Sequence, residues 1–278
     1  MKKPFIIEID RIQSIDSIFL SQGDYSGVLE QYLENYNFNI YFITYVDKFR
    51  FDLDNCRIDK NLFIVKFIGK QDEYILPNYT VKKFDKDKST SRSITLTIID
   101  DTLVRFTLND FITKYCLKIS RIQEIIYIGQ SINIVNRLEN HEKLIRAFAS
   151  LPDNKEVLIN FIEPSFGYFN NENNELVHFN KETIMHTNFK AFRYDELINL
   201  TERILVKFFK PVLNTNFINT NFSTDKTLQN ISHVAKNDIF LFSNQINDNG
   251  YNFFTSKQEL KNNTFILNAN FEFEIFEI

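Results

Sequence analysis

Short apolar segments rich in β-branched and aromatic residues constrain the fold more than any other feature of this chain. Five of them lie between residues 38 and 107, separated by polar turns such as DLDN, KQDE and DKDKSTS. Segments of this length, composition and spacing are typical of β-strands. We therefore predict a β-rich unit of about five strands. An amphipathic helix over residues 21–37 precedes it.

Beyond residue 107 the pattern becomes mixed. It predicts strands at residues 114–119, 124–130 and 156–162, and helices at residues 133–150 and 195–209. Residues 164–190 are polar and rich in asparagine, which favours a long loop or an insertion. The tail returns to strand-like segments at residues 238–244 and 263–278.

This organisation predicts an α+β protein in three parts. Residues 1–107 form an N-terminal β-rich domain for recognition or for a partner. Residues 108–218 form a core with an insertion near residues 164–190, and residues 219–278 form a C-terminal β extension. The boundary near residue 107 follows from the change of pattern alone.

Charge and cysteine content limit the possible functions. The net charge is −4 and the pI is about 5.7, so a DNA-binding role needs a local positive patch. Residues 111–150 carry six Lys and Arg against three Glu, and the patch is expected there. The two cysteines, Cys56 and Cys116, support neither a disulfide framework nor a zinc site, which favours a reducing cytoplasmic compartment.

Several signals for other functions are missing from the sequence. The N-terminus MKKPFIIEID is too short in its apolar run for a signal peptide. No stretch has the roughly 18 apolar residues of a membrane helix. A glycine-rich phosphate loop is also absent, so we expect neither a membrane nor a nucleotide cofactor.

The segment IIYIGQSINIVNRLENH, residues 125–141, joins a predicted strand to a predicted helix. Gly129, one of only six glycines, ends the strand and lets the backbone turn or a ligand approach. Arg137 and His141 are four residues apart and share a helix face. The buried stripe of the same helix is predicted to be Ile134, Leu138, Ile145 and Phe148.

A second cluster lies in TERILVKFFKPVLN. Glu202 is within a predicted helix that ends before Pro211, and Asn214 follows in the returning chain. Taken alone, each of these residues is most simply an ordinary surface or turn residue.

Together the two clusters resemble the GIY-YIG nuclease family, over roughly residues 110–217. Tyr127 begins the second half of the signature, and Arg137 stands ten residues beyond it. Glu202, Pro211 and Asn214 match the spacing of the family's metal-binding glutamate and the residues after it. His141 lies one helical turn after Arg137, where the restriction-endonuclease branch of the family has a histidine. The first half of the signature is matched only by its tyrosine, at Tyr115 in Thr113-Lys114-Tyr115.

The resemblance implies a small antiparallel sheet flanked by helices and a role for each residue. Glu202 would hold Mg²⁺ or another divalent cation such as Mn²⁺, and Arg137 would donate to the scissile phosphate. Tyr115 or Tyr127 would position or deprotonate the attacking water. His141 would transfer a proton or orient a tyrosine, and Asn214 would brace the site.

These assignments predict a metal-dependent endonuclease that cleaves double-stranded DNA, in restriction or a related defence. Cleavage of both strands with one active site per chain is simplest in a homodimer. Residues 1–107 would recognise DNA, a modified base or a partner. Two alternatives stay open: a catalytically degenerate DNA-binding or regulatory module, and a homing or repair nuclease.

Overall fold

The protein is represented by a computed structural model that describes twelve segments of the chain. These are residues 3–16, 38–68, 71–76, 78–108, 121–131, 137–138, 141–170, 175–179, 193–242, 251–255, 264–267 and 272–275. The chain forms two compact units. Unit 1 is Met1–Val46 with Ile122–Ile278, and unit 2 is Asp47–Arg121.

The described chain is rich in strands and has few helices, which confirms the predicted α+β class. The strands are β1 (Lys3–Asp16), β2 (Ile40–Asp47), β3 (Arg57–Asp59), β4 (Leu62–Lys66), β5 (Glu73–Ile75), β6 (Val81–Phe84), β7 (Ser93–Ile98), β8 (Leu103–Thr107), β9 (Arg121–Gln130), β10 (Lys155–Asn170), β11 (Glu175–Phe179), β12 (Ala235–Phe242), β13 (Tyr251–Phe254), β14 (Thr264–Leu267) and β15 (Phe273–Ile275). The helices are α1 (Glu142–Ala149), α2 (Tyr194–Phe209) and α3 (Lys226–Val234), with 3₁₀ turns at Lys86–Lys88 and Phe222–Thr224. Among the described helices, none is long and apolar enough to span a membrane.

Unit 1 is built on one sheet in the order β13-β9-β2-β10-β1-β12-β14-β15, and β11 pairs with β10. Strands β2 and β9 are antiparallel, as are β1 and β10, whereas β1 and β12 are parallel. The predicted C-terminal extension is therefore not a separate region. Its strands continue the sheet on both sides, since β12 pairs with β1 and β13 with β9.

The division into units differs from the predicted N-terminal domain over residues 1–107. Strand β1 lies between β10 and β12, and its alternate residues Phe5, Ile7 and Ile9 are buried. This strand and β2 therefore belong to the same sheet as the residues beyond 121. Of the predicted N-terminal domain, only the part from residue 47 onward lies in a separate unit. That unit, residues 47–121, has its own core.

Within the predicted insertion at residues 164–190, residues 164–170 and 175–179 are regular sheet, and the others lie outside the described residues. Strand β10 continues to Asn170 and forms an antiparallel pair with β11, from Phe166↔Phe179 to Asn170↔Glu175. These residues are therefore not a loop, because their aromatic side chains favour a place in the sheet despite the polar composition. Phe166 and Phe179 are buried against Phe5, with ring centroids 6.4 Å from it.

Two hydrophobic clusters pack on opposite faces of the β9-β2-β10 part of the sheet. The first cluster contains Phe42 of β2 with the buried face of α2, and the second contains Ile43 of β2 with Leu138, Leu144 and Ala147. Because successive strand residues point to opposite faces, β2 contributes alternately to each.

The predicted buried stripe of the helix after Gly129 is only partly correct. Leu138 is buried, but Ile145 is 66% exposed and Phe148 is 43% exposed, while Ile134 lies outside the described residues. The reason is a break at His141, whose backbone is extended and caps the start of α1. The helical phase is therefore set anew at Glu142.

Unit 2 consists of two three-stranded antiparallel sheets, β3-β4-β5 and β6-β7-β8. Its own core contains Phe49, Phe51, Phe63 and Phe67, together with further buried apolar residues from both sheets. The predicted β-rich texture is thus correct for this region. The predicted helix over residues 21–37 and the predicted strand over residues 114–119 lie outside the described residues.

Candidate active site

The pairing of β2 with β9 brings two tyrosines together. In this ladder Tyr41 lies opposite Gly129, and Ile43 lies opposite Tyr127. Tyr41 and Tyr127 are therefore diagonal neighbours on one face of the sheet. Their ring centroids are 6.0 Å apart at an interplanar angle of 43°.

Gly129 owes its identity to this pair of rings. A Cβ atom at residue 129 would lie 2.6 Å from the Tyr41 hydroxyl and 2.7 Å from the Tyr127 ring. Both distances are far below van der Waals contact. The glycine therefore makes room for the two phenols, rather than for a turn or for the backbone's approach to a ligand.

His141 holds the Tyr41 hydroxyl. Its Nε2 lies 2.6 Å from the Tyr41 oxygen, and its Nδ1 accepts a hydrogen bond of 3.2 Å from the Leu144 backbone N–H. Because Nδ1 is an acceptor, the neutral ring carries its hydrogen on Nε2 and donates it to Tyr41.

The same environment keeps His141 neutral. Burial, with the nearby positive charges of Arg137 and Lys143, lowers its pKa to about 4. At neutral pH the ring is therefore uncharged, and its one free lone pair is used in capping α1. Of the two predicted roles for His141, orientation of a tyrosine fits this arrangement and proton transfer does not.

Arg137 supplies the positive charge next to the phenols. Its guanidinium interacts most strongly with Tyr41 and also with Tyr127. Both interactions raise the pKa of the guanidinium. Residue 137 is exposed, whereas Tyr41 is buried and Tyr127 is half-buried. The planar fork of donors can therefore reach a solvent-borne anion while it contacts the phenols.

The two phenols differ in how readily they can ionise. Burial raises the pKa of both, and it does so most strongly for Tyr41. For Tyr127, hydrogen bonds from Tyr41 and Arg137 lower the pKa, while the negative charge of Glu202 raises it. Tyr41 accepts from His141, so its own O–H is free to donate to Tyr127. Tyr127 is therefore the phenol better prepared to carry negative charge.

Glu202 lies on α2 and is only 8% exposed. Burial raises its pKa to about 7, against the opposing charges of Arg203 and Arg137. Arg203 is not its partner, because its guanidinium forms an ion pair of 2.5 Å with Asp225. Within the described part of the chain the Glu202 carboxylate accepts no hydrogen bond and forms no ion pair.

Asn214 ties the chain after α2 to the strand that carries Tyr127. Its side-chain amide donates to the Ile128 carbonyl at 2.8 Å and accepts from the Ile128 N–H at 2.9 Å. The Leu213 N–H also donates to the Ile126 carbonyl, at 2.9 Å. Helix α2 ends before Pro211, and the left-handed backbone of Lys210 turns the chain back toward β9.

The structure thus brings together Tyr127, Arg137, His141, Glu202 and Asn214, all within unit 1. Tyr115, predicted as the first tyrosine, lies outside the described residues. Tyr41 was missed, although the dipeptide Ile40-Tyr41 within a strand was a usable signal. The residue before this dipeptide is Asn39 rather than the glycine of the signature, and residues 47–121 separate Tyr41 from Tyr127 in the sequence.

Comparison with models of protein families, with curated proteins and with solved structures finds no match for this chain. The description of the site therefore rests on its own residues and their geometry.

Proposed function

We propose that the protein is a metal-dependent DNA endonuclease of the GIY-YIG type, in which Tyr41 rather than Tyr115 is the first tyrosine. The observation that carries the proposal is the convergence of Tyr41, Tyr127, Arg137 and His141. Each of the groups that phosphodiester hydrolysis needs has a counterpart there, and the electrostatic influence of Glu202 reaches Tyr127. Perturbed ionisable groups are enriched at catalytic sites.

In the proposed reaction Tyr127 first loses its own proton to solvent, and the resulting phenolate positions the attacking water and accepts its proton. An isolated phenol is a weak base at neutral pH, because its ordinary pKa is about 10. Burial and the negative charge of Glu202 raise the pKa of Tyr127, and the interactions with Tyr41 and Arg137 offset part of that rise. Tyr41 acts as a bridge, because it receives the Nε2–H of His141 and donates its own O–H to Tyr127.

Arg137 contacts the scissile phosphate in this proposal. Its donors face a centre where negative charge grows in the transition state, and fixed donors of this kind contribute strongly to rate. Arginine also binds two phosphate oxygens at once, which lysine cannot do.

Glu202 fits the ligand role for a divalent cation. A buried carboxylate with no hydrogen-bond or ion-pair partner in the described chain favours the approach of a positive charge. Among the described residues no group of three or more His, Cys, Asp and Glu side chains converges. A single carboxylate such as Glu202 suits Mg²⁺ or Mn²⁺, which are hard ions that keep several waters. Such an ion would neutralise charge on the phosphate and the leaving oxygen.

Double-stranded DNA is the proposed substrate, and unit 2 is the proposed source of its attraction. Residues 47–121 hold 15 Lys and Arg against 11 Asp and Glu, a net charge of +4. The rest of the chain holds 17 against 25, a net charge of −8. The positive excess near residues 111–121 therefore belongs to unit 2, and association with a polyanion depends on it. Restriction or a related defence, with a homodimer cutting both strands, is the proposed setting.

The competing proposal is a degenerate module that binds DNA without cutting it, and Asn39 in the place of the signature glycine favours it. A homing or repair nuclease would share the chemistry and differ in its targets.

Incubation with modified and unmodified duplex DNA in Mg²⁺ tests the proposal. Cleavage by the wild-type protein that is lost on chelation supports an enzyme. Retained DNA binding without cleavage, in either Mg²⁺ or Mn²⁺, supports the degenerate module instead.

A further inference from the structure

Behind the two tyrosines, three polar side chains form a cluster within the sheet. Thr44 of β2, Gln123 of β9 and Asn160 of β10 are each 0% exposed. The Thr44 hydroxyl donates to the Gln123 side-chain carbonyl at 2.7 Å. The Asn160 amide donates to the same carbonyl at 2.9 Å and to the Thr44 hydroxyl at 3.0 Å. We call these three residues the polar triad.

The polar triad spans the three adjacent strands β9-β2-β10. By strand alternation Thr44 lies on the face opposite Tyr41, three residues further along β2 and thus about 10 Å away. The triad is therefore not part of the proposed reaction centre, but it lies on the same strands that carry both tyrosines.

Next to the triad, β9 contains one more residue than its partner. Ile43 pairs with Tyr127, yet Thr44 pairs with Ile125, so Ile126 is the additional residue of a β-bulge. Ile126 and Tyr127 then both contribute to the second hydrophobic cluster, on the face of Tyr41. The bulge thus sets which face of the sheet receives Tyr127, since a one-residue slip moves every side chain to the other face.

A short turn fixes the register in an ordinary β-hairpin. Here β2 and β9 are joined by unit 2, a folded unit of residues 47–121, so no tight turn can set their register. Something within the strands must do so. Apolar side chains alone specify the register weakly next to this bulge. Ile125 and Ile126 are adjacent on β9 and have the same shape and polarity, so either could take the place of the other.

The triad also carries an unfavourable feature that a stability role does not explain. The Gln123 side-chain N–H₂ is buried and has no hydrogen-bond partner among the described residues. A same-sized apolar residue would avoid this unpaired donor. Buried polar groups retained at such a cost serve in the best-attested cases to select one register.

We propose that Thr44, Gln123 and Asn160 are positioning residues that lock the register of β2 and β9 and so aim Tyr127 at Tyr41. Only the pairing Thr44↔Ile125 brings the Thr44 hydroxyl and the Gln123 carbonyl together beneath Asn160. A slipped register leaves all three groups buried and unpaired. The effect of the polar triad on catalysis rests on the proposed nuclease function. Its effect on the positions of Tyr41 and Tyr127 does not.

The test combines NMR of tyrosine labelled at Cζ with DNA cleavage, in the full chain. Three proteins are compared: Thr44→Val, the triple variant Thr44→Val/Gln123→Leu/Asn160→Leu, and the control Thr95→Val. Thr95 is a buried strand threonine of unit 2 whose hydroxyl donates to the Lys88 carbonyl at 3.0 Å, so the control removes one similar bond. The triple variant removes the polar groups of all three triad residues together, and it decides the question if Thr44→Val does not fold.

If the polar triad fixes the register, the NMR signals of Tyr41 and Tyr127 split or shift in the triple variant. The same signals stay unchanged in Thr95→Val. Cleavage by the triple variant falls about 10²-fold through kcat, as expected for a misplaced reacting group, with DNA affinity within about twofold of wild type. Unchanged tyrosine signals in the folded triple variant overturn the proposal. If the wild-type protein does not cut DNA at all, the nuclease proposal fails. The NMR comparison still tests whether the polar triad fixes the register of β2 and β9.

Discussion

The two units differ in what perturbs their ionisable groups. In unit 2 the main cause is usually a hydrogen-bonding partner: Lys86 lowers the pKa of Asp54, Arg57 lowers that of Glu73, and Lys83 lowers that of Asp85. At the candidate site in unit 1 the main cause for the two tyrosines, His141 and Glu202 is burial, which disfavours their charged forms, and only Arg137 is shifted mainly by a partner.

This contrast separates a region arranged for folding from one arranged for chemistry. Partner-driven shifts accompany contacts that the folded state gains, and they stabilise it or leave it unchanged. Burial-driven shifts oppose folding only at a pH where the group is charged in the unfolded chain, which is above about pH 4.5 for Glu202 and below about pH 6.5 for His141. Such costs are expected where a site keeps groups ready for a substrate or an ion.

Replacing Glu202 should have the largest effect and should split activity from stability. In Glu202→Gln we expect cleavage to fall at least about 10³-fold, because the site loses its charge for a cation. The folded pKa of about 7 exceeds the ordinary 4.5, so ionisation reduces stability as pH rises from 4.5 through 7.

The variant lacks that loss, which amounts to about 3 kcal/mol from the pKa difference. It should therefore unfold at higher urea than wild type at pH 8, and Mg²⁺ should raise the melting temperature of wild type only. Equal stability at pH 8 with normal cleavage would show that Glu202 is an ordinary helix residue.

Arg137→Lys comes next, with an expected fall in kcat of about 10²–10³-fold. The substitution keeps the positive charge but loses the planar pair of donors that binds two oxygens. Arg146→Lys on α1 is the matched control, since Arg146 forms an exposed ion pair of 2.5 Å with Glu142. Equal effects of the two substitutions on kcat would remove Arg137 from the site.

The pH dependence of unfolding tests His141. Its folded pKa of about 4 is below the ordinary 6.5, so the unfolded chain binds the proton first. Stability from this group is complete above about pH 6.5 and is lost as pH falls to about 4, by about 3 kcal/mol.

His141→Asn keeps a side chain that can cap α1 and removes the titration. Urea unfolding at pH 4.5 and pH 7.5 should therefore show a smaller difference in the variant than in wild type. An identical difference in both proteins would contradict a buried neutral imidazole.

The smallest effect is expected in unit 2. Arg57 and Glu73 form two hydrogen bonds, of 2.9 and 2.8 Å, but both side chains are well exposed. Exposed ion pairs contribute little to stability because water and salt screen them. Glu73→Gln should therefore leave the urea midpoint unchanged within error, whereas a large loss would erase the contrast between the units.

Local pattern was enough to predict much of unit 2 and parts of unit 1. Alternating and β-branched segments identified β2, β4 and β7, and the cluster at Glu202 and Pro211 identified the helix and its end. These features depend on neighbouring residues, which a sequence shows directly.

The remaining features depend on contacts between distant residues. Tyr41 joins the site only because β2 pairs with β9 across the whole of unit 2. Strand β1 was missed because its pairing partners, β10 and β12, come much later in the chain. The phase of α1 was wrong because His141 interrupts the helix to cap a new one, which its spacing from Arg137 does not reveal.

Cleavage of duplex DNA in Mg²⁺ or Mn²⁺ by wild type, Tyr41→Phe, Tyr127→Phe and Tyr115→Phe tests the central claim most directly. Each substitution removes one hydroxyl and keeps the ring. We predict cleavage by wild type and by Tyr115→Phe, with losses of about 10²–10⁴-fold in the other two, as for general acid–base groups. Cleavage that survives both Tyr41→Phe and Tyr127→Phe, or a wild-type protein that binds but never cuts, would contradict it.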